Sequence, residues 1–290
     1  MSKKHPIISV TGSSGAGTST VKSTFDAIFR REGIKAVSIE GDAFHRFDRA
    51  AMKAELQKRK EEGDYTFSHF SFDANELGEL ERVFRDYGET GKGRTRHYVH
   101  DEEEAEKYGV PPGNFTAWAP FEDKSDLLFY EGLHGAVKND EVDLSALADL
   151  KIGVVPVINL EWIQKIHRDK ASRGYTTEAV TDTILRRMQA YVNCICPQFS
   201  ETDINFQRVP VVDTSNPFIA RWIPTADESL LVIRFKNPRG IDFQYLTSMI
   251  DGSWMTRANS IVAPGGKMDL AMQLIFTPMI QRLIHDSRKQ

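Results

Sequence analysis

Ile7-Ile8-Ser9-Val10-Thr11-Gly12-Ser13-Ser14-Gly15-Ala16-Gly17-Thr18-Ser19-Thr20 decides the fold. A short apolar run enters a loop of glycine and serine, and an amphipathic stretch follows. A strand that turns through glycines into a helix makes a cradle for phosphate. The glycines let successive backbone N–H groups point inward, and the helix aims its positive end at the same place. The spacing G-x-x-x-x-G-T-S departs at one position from the phosphate-binding pattern G-x-x-x-x-G-K-[ST]. Gly12, Ser13, Ser14, Gly15, Ala16, Gly17, Thr18, Ser19 and Thr20 are therefore candidate nucleotide-binding residues. The Ser19 hydroxyl is a candidate ligand for Mg²⁺. Thr18 stands where lysine belongs, so a cation for the terminal phosphates must come from elsewhere in the chain. A plain Gly/Ser turn is the competing reading, and the strand–loop–helix context weighs against it.

Outward from this loop, apolar β-rich runs alternate with helical stretches. Strands are expected at 7–10, 36–39, 127–131, 152–158, 209–212 and 230–235. Helices are expected at 18–31, 48–62, 74–87, 160–173, 176–192, 243–250 and 268–287. Unbroken apolar strands between helices predict an α/β fold: a mixed, largely parallel sheet flanked by helices. No shift of composition divides the chain, so residues 1–290 are expected to form a single domain. The segment 88–120 holds Gly88, Gly91, Gly93, Gly109, Pro111, Pro112 and Gly113 and reads as a long lid, substrate loop or insertion. Its acidic run at 101–106 reads as a solvated helix face or loop. Gly91-Lys92-Gly93 lacks a third glycine and follows no strand, which argues against a dinucleotide fingerprint.

Composition narrows the function classes. With 40% hydrophobic and 27% charged residues, the chain of 290 residues is globular. A net charge of −4 lacks the basic excess of a nucleic-acid module. No apolar run approaches the ~20 residues that span a bilayer, and the N-terminal apolar run is too short for a signal peptide. Cys194 and Cys196, two apart and read as strand residues, are expected to be free thiols in a reducing compartment. The expectation is a cytoplasmic protein with neither nucleic acid nor membrane as partner.

Carboxylates follow two of the strands. Asp42 comes just after the strand at 36–39, where a parallel sheet faces its ligand crevice, and is placed to take a proton from an acceptor hydroxyl. A helix N-cap or turn is the bland alternative. Glu131 closes the apolar strand at 127–131, the arrangement in which an acid helps hold Mg²⁺. Lys165, Arg168, Asp169 and Arg173 fall on one helix face. They form either a solvated salt-bridge ladder or the cations that the phosphate loop lacks. His45, Arg49 and Lys53, spaced by four, suit a sugar phosphate presented to Asp42, or are a solvated face. Arg96, His97, Tyr98 and His100 offer further phosphate or hydroxyl ligands.

Lys165-Ile166-His167-Arg168-Asp169-Lys170-Ala171-Ser172-Arg173-Gly174-Tyr175-Thr176-Thr177-Glu178 resembles the signature of the phosphoribulokinase family along its whole length. Further likeness covers 12–20, 42–49, 68–76 (with His-Phe-Ser-Phe-Asp-Ala-Asn at its centre), 96–100 and 131–135, and is greatest to the short bacterial form. The resemblance implies a fold like that of nucleotide monophosphate kinases and the phosphorylation of ribulose 5-phosphate at C1 by ATP·Mg²⁺, a Calvin-cycle reaction. It implies Asp42 as general base, Ser19 and Glu131 as metal ligands, and Lys165 at the transferring phosphoryl group. His45, Arg49, Tyr98, His100, Arg168 and Arg173 would meet the sugar phosphate or the developing charge. Asp169 would be catalytic or orienting. The plant form keeps the loop lysine and carries a thioredoxin-sensitive cysteine in the loop; neither is present here, which argues against redox switching of that kind. A homo-oligomer activated by NADH and inhibited by AMP is also implied. Arg31, Arg186, Arg187, Arg234 and Arg257 are left over as candidate effector residues, with Arg234 singled out because it interrupts an apolar run. Uridine or pantothenate kinases share the loop and Asp42, but the segment 165–178 with Arg49 and Arg173 favours a phosphorylated sugar. A regulatory switch protein is disfavoured because Asn-Lys-x-Asp, the guanine-binding tetrapeptide, is absent.

Overall fold

The computed structural model describes residues 4–13, 18–121 and 124–289, and of residues 18, 19, 172 and 173 the backbone alone. The chain runs β1 (Ile7–Gly12), α1 (Thr18–Glu32), β2 (Ala36–Glu40), α2 (Arg49–Glu61), α3 (Leu77–Thr90), β3 (Arg94–Thr95), α4 (Glu102–Tyr108), β4 (Ala119–Pro120), β5 (Leu127–Gly132) and β6 (Leu150–Val155). It continues through α5 (Ile158–Arg173), α6 (Thr177–Ala190), α7 (Gln198–Glu201), β7 (Ile204–Pro210), β8 (Ser229–Phe235), α8 (Phe243–Met249), β9 (Trp254–Arg257), β10 (Ser260–Pro264) and α9 (Met268–Ser287). The main sheet has the order β2-β5-β1-β6-β7-β8-β10-β9. From β2 to β7 neighbours are parallel, and from β7 to β9 they are antiparallel. This is the mixed, helix-flanked α/β sheet that the sequence predicts.

Strand alternation sorts the core into two layers. Ile8 and Val10 of β1, with Leu127 and Phe129 of β5, pack against Val21, Phe25, Ile28 and Phe29 of α1 and against α9. Those α1 positions recur at i, i+4, i+7 and i+8, the stripe of an amphipathic helix. Ile7, Leu128 and Tyr130 face the other way, onto Leu80, Val83, Phe84 and Tyr87 of α3. Both faces of β1 and β5 are thus covered, which explains why these strands read as unbroken apolar runs.

Several expectations need correction. The segment 88–120 is not one irregular loop: α3 runs into it, β3 and β4 pair as a small ribbon, and α4 lies between them. The acidic run forms α4 because Asp101 caps it, accepting from the Glu104 N–H at 3.0 Å, while Glu102, Glu103 and Glu104 sit at the positive end of the helix. The expected strand at 209–212 is the tail of β7, which begins at Ile204. The hairpin β9–β10 was not expected. Cys194 lies in a single π-helical turn, Tyr191–Ile195, with Cys196 as its C-cap, so neither belongs to a strand; both are free thiols. Burial pushes both thiols above the ordinary cysteine value.

The ends of β2 and β5 meet through two glycines. A Cβ on Gly132 would lie 2.6 Å from the Gly41 Cα and 2.6 Å from the Tyr130 hydroxyl. The backbones carrying Glu131 and Asp42 therefore touch only because neither glycine has a side chain. Gly132→Ala is expected to cost about 1–3 kcal/mol, the usual range for forced overpacking. Denaturant unfolding checks this, and an unchanged midpoint would show that the strand ends separate freely.

Candidate active site

Strand ends converge at the carboxyl edge of the sheet. β1 leads into the phosphate-loop sequence, β2 is followed by the 3-10 turn Gly41–Phe44 that carries Asp42, and β5 carries Glu131 one residue before its end. Register places Glu131 opposite both Val10 of β1 and Glu40 of β2. Lys22 of α1 pairs with Glu40. Burial opposes the Lys22 charge, but the Glu40 hydrogen bond and the nearby Glu40 and Glu131 charges raise its pKa overall.

Asp42 lies between two imidazoles. Its Oδ1 is 3.2 Å from His45 Nε2 and its Oδ2 is 3.5 Å from His100 Nε2, with 42% of the side chain exposed. Crowding by protein pushes the carboxyl up, but the His45 hydrogen bond and the His45, His100 and His69 charges outweigh it and hold Asp42 at about 2. His45 is buried, which disfavours its charge, yet Asp42 and then Asn75 raise it above the ordinary histidine value. His69 and His134 shift the opposite way. Burial, with His45 adding repulsion, lowers each to about 3.

The other acceptor-side residues gather around this pair. Arg49 opens α2; its Nη2 donates to the His100 carbonyl at 3.1 Å. Its backbone N–H donates to Gly113 O at 2.8 Å. The Tyr98 ring centroid is 5.0 Å from that of His100 and 6.3 Å from that of His45. His45, Arg49, Tyr98 and His100 are thus brought together as expected. Arg96 is not: its guanidinium donates to the carbonyls of Ala43 at 2.8 Å and His45 at 2.7 Å and covers the Phe115 ring. It braces the Asp42 turn against the 88–120 segment.

On the phosphate side, Ser14, Gly15, Ala16 and Gly17, and the side chains of Thr18, Ser19 and Arg173, lie outside the described residues. Gly12 ends β1, Ser13 is fully buried, and Thr20 borders a cleft that also includes Glu161 and Gln164. Lys165 Nζ donates to Asp169 Oδ2 at 2.5 Å, and Arg168 Nε donates to Asp169 Oδ1 at 3.2 Å. Asp169 is only 2% exposed. The face on α5 is therefore a half-buried cluster and not a solvated ladder. Burial lowers the Lys165 pKa, and Asp169 opposes that shift.

Sequence reasoning missed two residues here. Glu161, one turn before Lys165, accepts from Ser13 Oγ at 2.5 Å and is 9% exposed. Its other oxygen is buried without a hydrogen-bond partner among the described residues. Burial raises its pKa, against Ser13, Lys165 and Arg168. Asn75 joins His45 to His134. Its only signal was its place in the quoted segment 68–76.

The five leftover arginines do not form one group. Arg187 lines a small cavity with Phe70, Glu161 and Lys165, beside the charged cluster on α5. Arg31 bonds Gln273 at 2.7 Å and Thr277 at 2.8 Å on α9. Arg186 has a buried Nε without a hydrogen-bond partner among the described residues. Arg234 is exposed and not buried in its apolar run; alternation turns it outward, and it and Arg257 both pair in register with Ser260.

An imidazole-flanked carboxylate and Glu131 at the carboxyl edge of a parallel sheet, beside a strand that leads into the sequence G-x-x-x-x-G-T-S, make the frame of a P-loop phosphotransferase. Residues 7–215 match the sequence model of the Phosphoribulokinase / Uridine kinase family, and the chain belongs to that family. It is 79% identical to Phosphoribulokinase 2 of Cereibacter sphaeroides over 289 residues, covering 100% of this chain and 99% of the relative. It is 68% identical to the phosphoribulokinase of Nitrobacter vulgaris over 289 residues, covering 100% of both chains. The solved phosphoribulokinase from Rhodobacter spheroides superposes with a TM-score of 0.91 at 77% identity, covering 99% of this chain and 100% of that one. The chain is thus a kinase that uses ATP with a divalent metal. Glu131, opposite Glu40 in register, carries carboxylate oxygens of the kind that suit a hard divalent cation.

His45→Ala removes the hydrogen bond and the nearest charge that hold Asp42 low, leaving the upward push of burial less opposed. A base at Asp42 would have to be ionised to accept a proton, so activity would be lost as pH falls through its pKa. The acid limb of the kcat–pH profile is expected to move up by on the order of 1 pH unit. An unmoved limb would separate His45 from Asp42.

Proposed function

We propose that this chain transfers the γ-phosphoryl group of ATP to the C1 hydroxyl of ribulose 5-phosphate, giving ribulose 1,5-bisphosphate in the Calvin cycle. The observation that carries the mechanism is the Asp42 carboxylate, flanked on each oxygen by an imidazole and set beside the strand ends that hold the phosphate loop. In the proposed reaction the C1 O–H bond breaks, its proton goes to Asp42, and the oxygen attacks the γ-phosphorus as the bond to ADP breaks. Phosphoryl transfer asks little covalent chemistry of the protein, so positioning and charge stabilisation supply most of the rate.

The remaining roles follow from position. Residues 12–20 hold the triphosphate. Ser19 and Glu131 hold Mg²⁺, which when bound neutralises charge on the phosphate oxygens. Lys165 stands in for the lysine missing at Thr18. Asp169, bonded to both Lys165 and Arg168, orients these cations and opposes the downward push of burial on Lys165, so its role is positioning. Arg49, His45, Tyr98, His100 and Arg173 hold the sugar phosphate. We read the protein as cytoplasmic and homo-oligomeric, activated by NADH and inhibited by AMP, with Arg31, Arg186, Arg187, Arg234 and Arg257 available for effectors. No helix among the described residues is long and apolar enough to cross a membrane.

One assay tests the proposal. ADP release from ATP·Mg²⁺ is measured with ribulose 5-phosphate, uridine and pantothenate, for the wild type and Asp42→Asn. Release is expected with ribulose 5-phosphate alone. Asp42→Asn is expected to lower kcat by roughly 10²–10⁴-fold, the range for losing a positioned base, with KM values little changed. A faster reaction with uridine would overturn the acceptor, and near-normal turnover in Asp42→Asn would remove it as base.

A further inference from the structure

The acceptor side of the cleft rests on a buried amide that the proposed mechanism does not use. Asn75 is 3% exposed. Its Nδ2 lies 3.0 Å from the His69 carbonyl, 2.8 Å from the Ser71 carbonyl and 3.1 Å from His134 Nε2. Its Oδ1 lies 2.8 Å from His45 Nδ1. The two carbonyls settle which way the amide points. A carbonyl oxygen only accepts, so the NH₂ group must face His69 and Ser71, and turning the amide over would set oxygen against oxygen twice. The atom facing His45 is therefore an acceptor, and Nδ1 of His45 must carry a hydrogen.

This has a consequence on the far side of the ring. His45 Nε2 faces Asp42 Oδ1 at 3.2 Å. With Nδ1 already protonated, Nε2 has two choices. It carries a second hydrogen, making an imidazolium paired with the carboxylate, or it turns a lone pair toward that carboxylate. The neutral tautomer with hydrogen on Nε2 alone would leave Nδ1 and Asn75 Oδ1 as two acceptors in contact. The orientation of the amide thus couples the Nε2 hydrogen to a full positive charge.

We propose that Asn75 is a positioning residue that fixes the His45 tautomer, so that His45 meets Asp42 as a cation. The inference rests on the reading of Asp42 as the base. Other groups face the same ring. His69 is 5.1 Å away between centroids and Tyr98 6.3 Å, the His134 ring lies beyond Asn75, His100 takes the other Asp42 oxygen, and Arg187 adds repulsion. Asp42 and Asn75 are the ones that favour the charge, and both raise the His45 pKa. Asn75 also links His45, after the turn that follows β2, with His134, after β5, so the geometry of the pair is held from two strand ends.

The direct test is ¹⁵N NMR of histidine-labelled protein, with the His45 signals assigned by their loss in His45→Asn. In the wild type, Nδ1 is expected to stay protonated throughout the titration while Nε2 alone gains and loses its hydrogen. A neutral form protonated at Nε2 overturns the inference, and this readout needs neither a variant of Asn75 nor any activity. Two variants then read the consequence in the alkaline limb of kcat/KM for the acceptor. Asn75→Leu removes the acceptor atom, and the limb is expected to fall by about one pH unit, a tenfold change in the proton dissociation constant. Asn75→Asp keeps an acceptor and adds negative charge, and the limb is expected to rise. A merely structural role would lower melting temperature and kcat in both variants with the limb in place and with His45 Nδ1 losing its hydrogen in the wild-type titration, and that combination overturns the inference. Should the NMR result hold while the limb fails to follow, the failure lies with Asp42 and His45 as the working pair and not with the tautomer.

Discussion

The parallel pairing of β1 between β5 and β6 is the constraint on which the rest of the molecule depends. It is made by backbone hydrogen bonds within a sheet covered on both faces, so its register has little freedom. Because Val10 lies opposite Glu131 and Thr11 opposite Gly132, the strand that delivers the phosphate loop ends level with the strand that delivers the carboxylate. The meeting of Gly132 with Gly41 then brings in the turn of Asp42. One register and one close approach of two backbones place the end of β1, Glu131 and the proposed base at one edge.

Charge at that edge is handled by pairing. A carboxylate crowded by protein would ordinarily rise toward its neutral form. Asp42 does the opposite because two imidazoles take its two oxygens. Lys165 and Arg168 share buried Asp169 in the same way. Removing one member of such a group leaves a buried charge uncompensated, and the cost falls on the fold as well as on the chemistry. Conservative variants that keep shape therefore separate the two effects better than truncations.

Much of the fold was legible because β1, β2 and β5 and their helices are apolar on both faces or striped at helical spacing. β7 was read late because Asn205, Gln207 and Arg208 alternate with its apolar residues and hide the start of the strand. β9 was invisible because all of its residues are exposed. In the site, residue types at strand ends pointed to Asp42 and Glu131, and spacing pointed to His45 and Arg49. What could not be read was contact across the sequence. Glu161 meets Ser13 across 148 positions, and Asn75 meets His134 across 59. Nothing in either local segment announces its partner. Arg234 misled for the same reason: a guanidinium is a ligand, a brace or a solvated end according to what faces it.

The central claim is that the cation over the transferring phosphoryl group comes from α5 and not from the phosphate loop. The most direct measurement is single-turnover phosphoryl transfer alongside equilibrium ATP binding, in Lys165→Met with and without Thr18→Lys. The account predicts a fall in the chemical step of roughly 10²–10³-fold, as for other groups that act at the transition state, with ATP affinity within a few-fold. It also predicts partial recovery when lysine is restored at position 18. Weak ATP binding with an unchanged chemical step would contradict the account and make Lys165 a clamp for bound nucleotide.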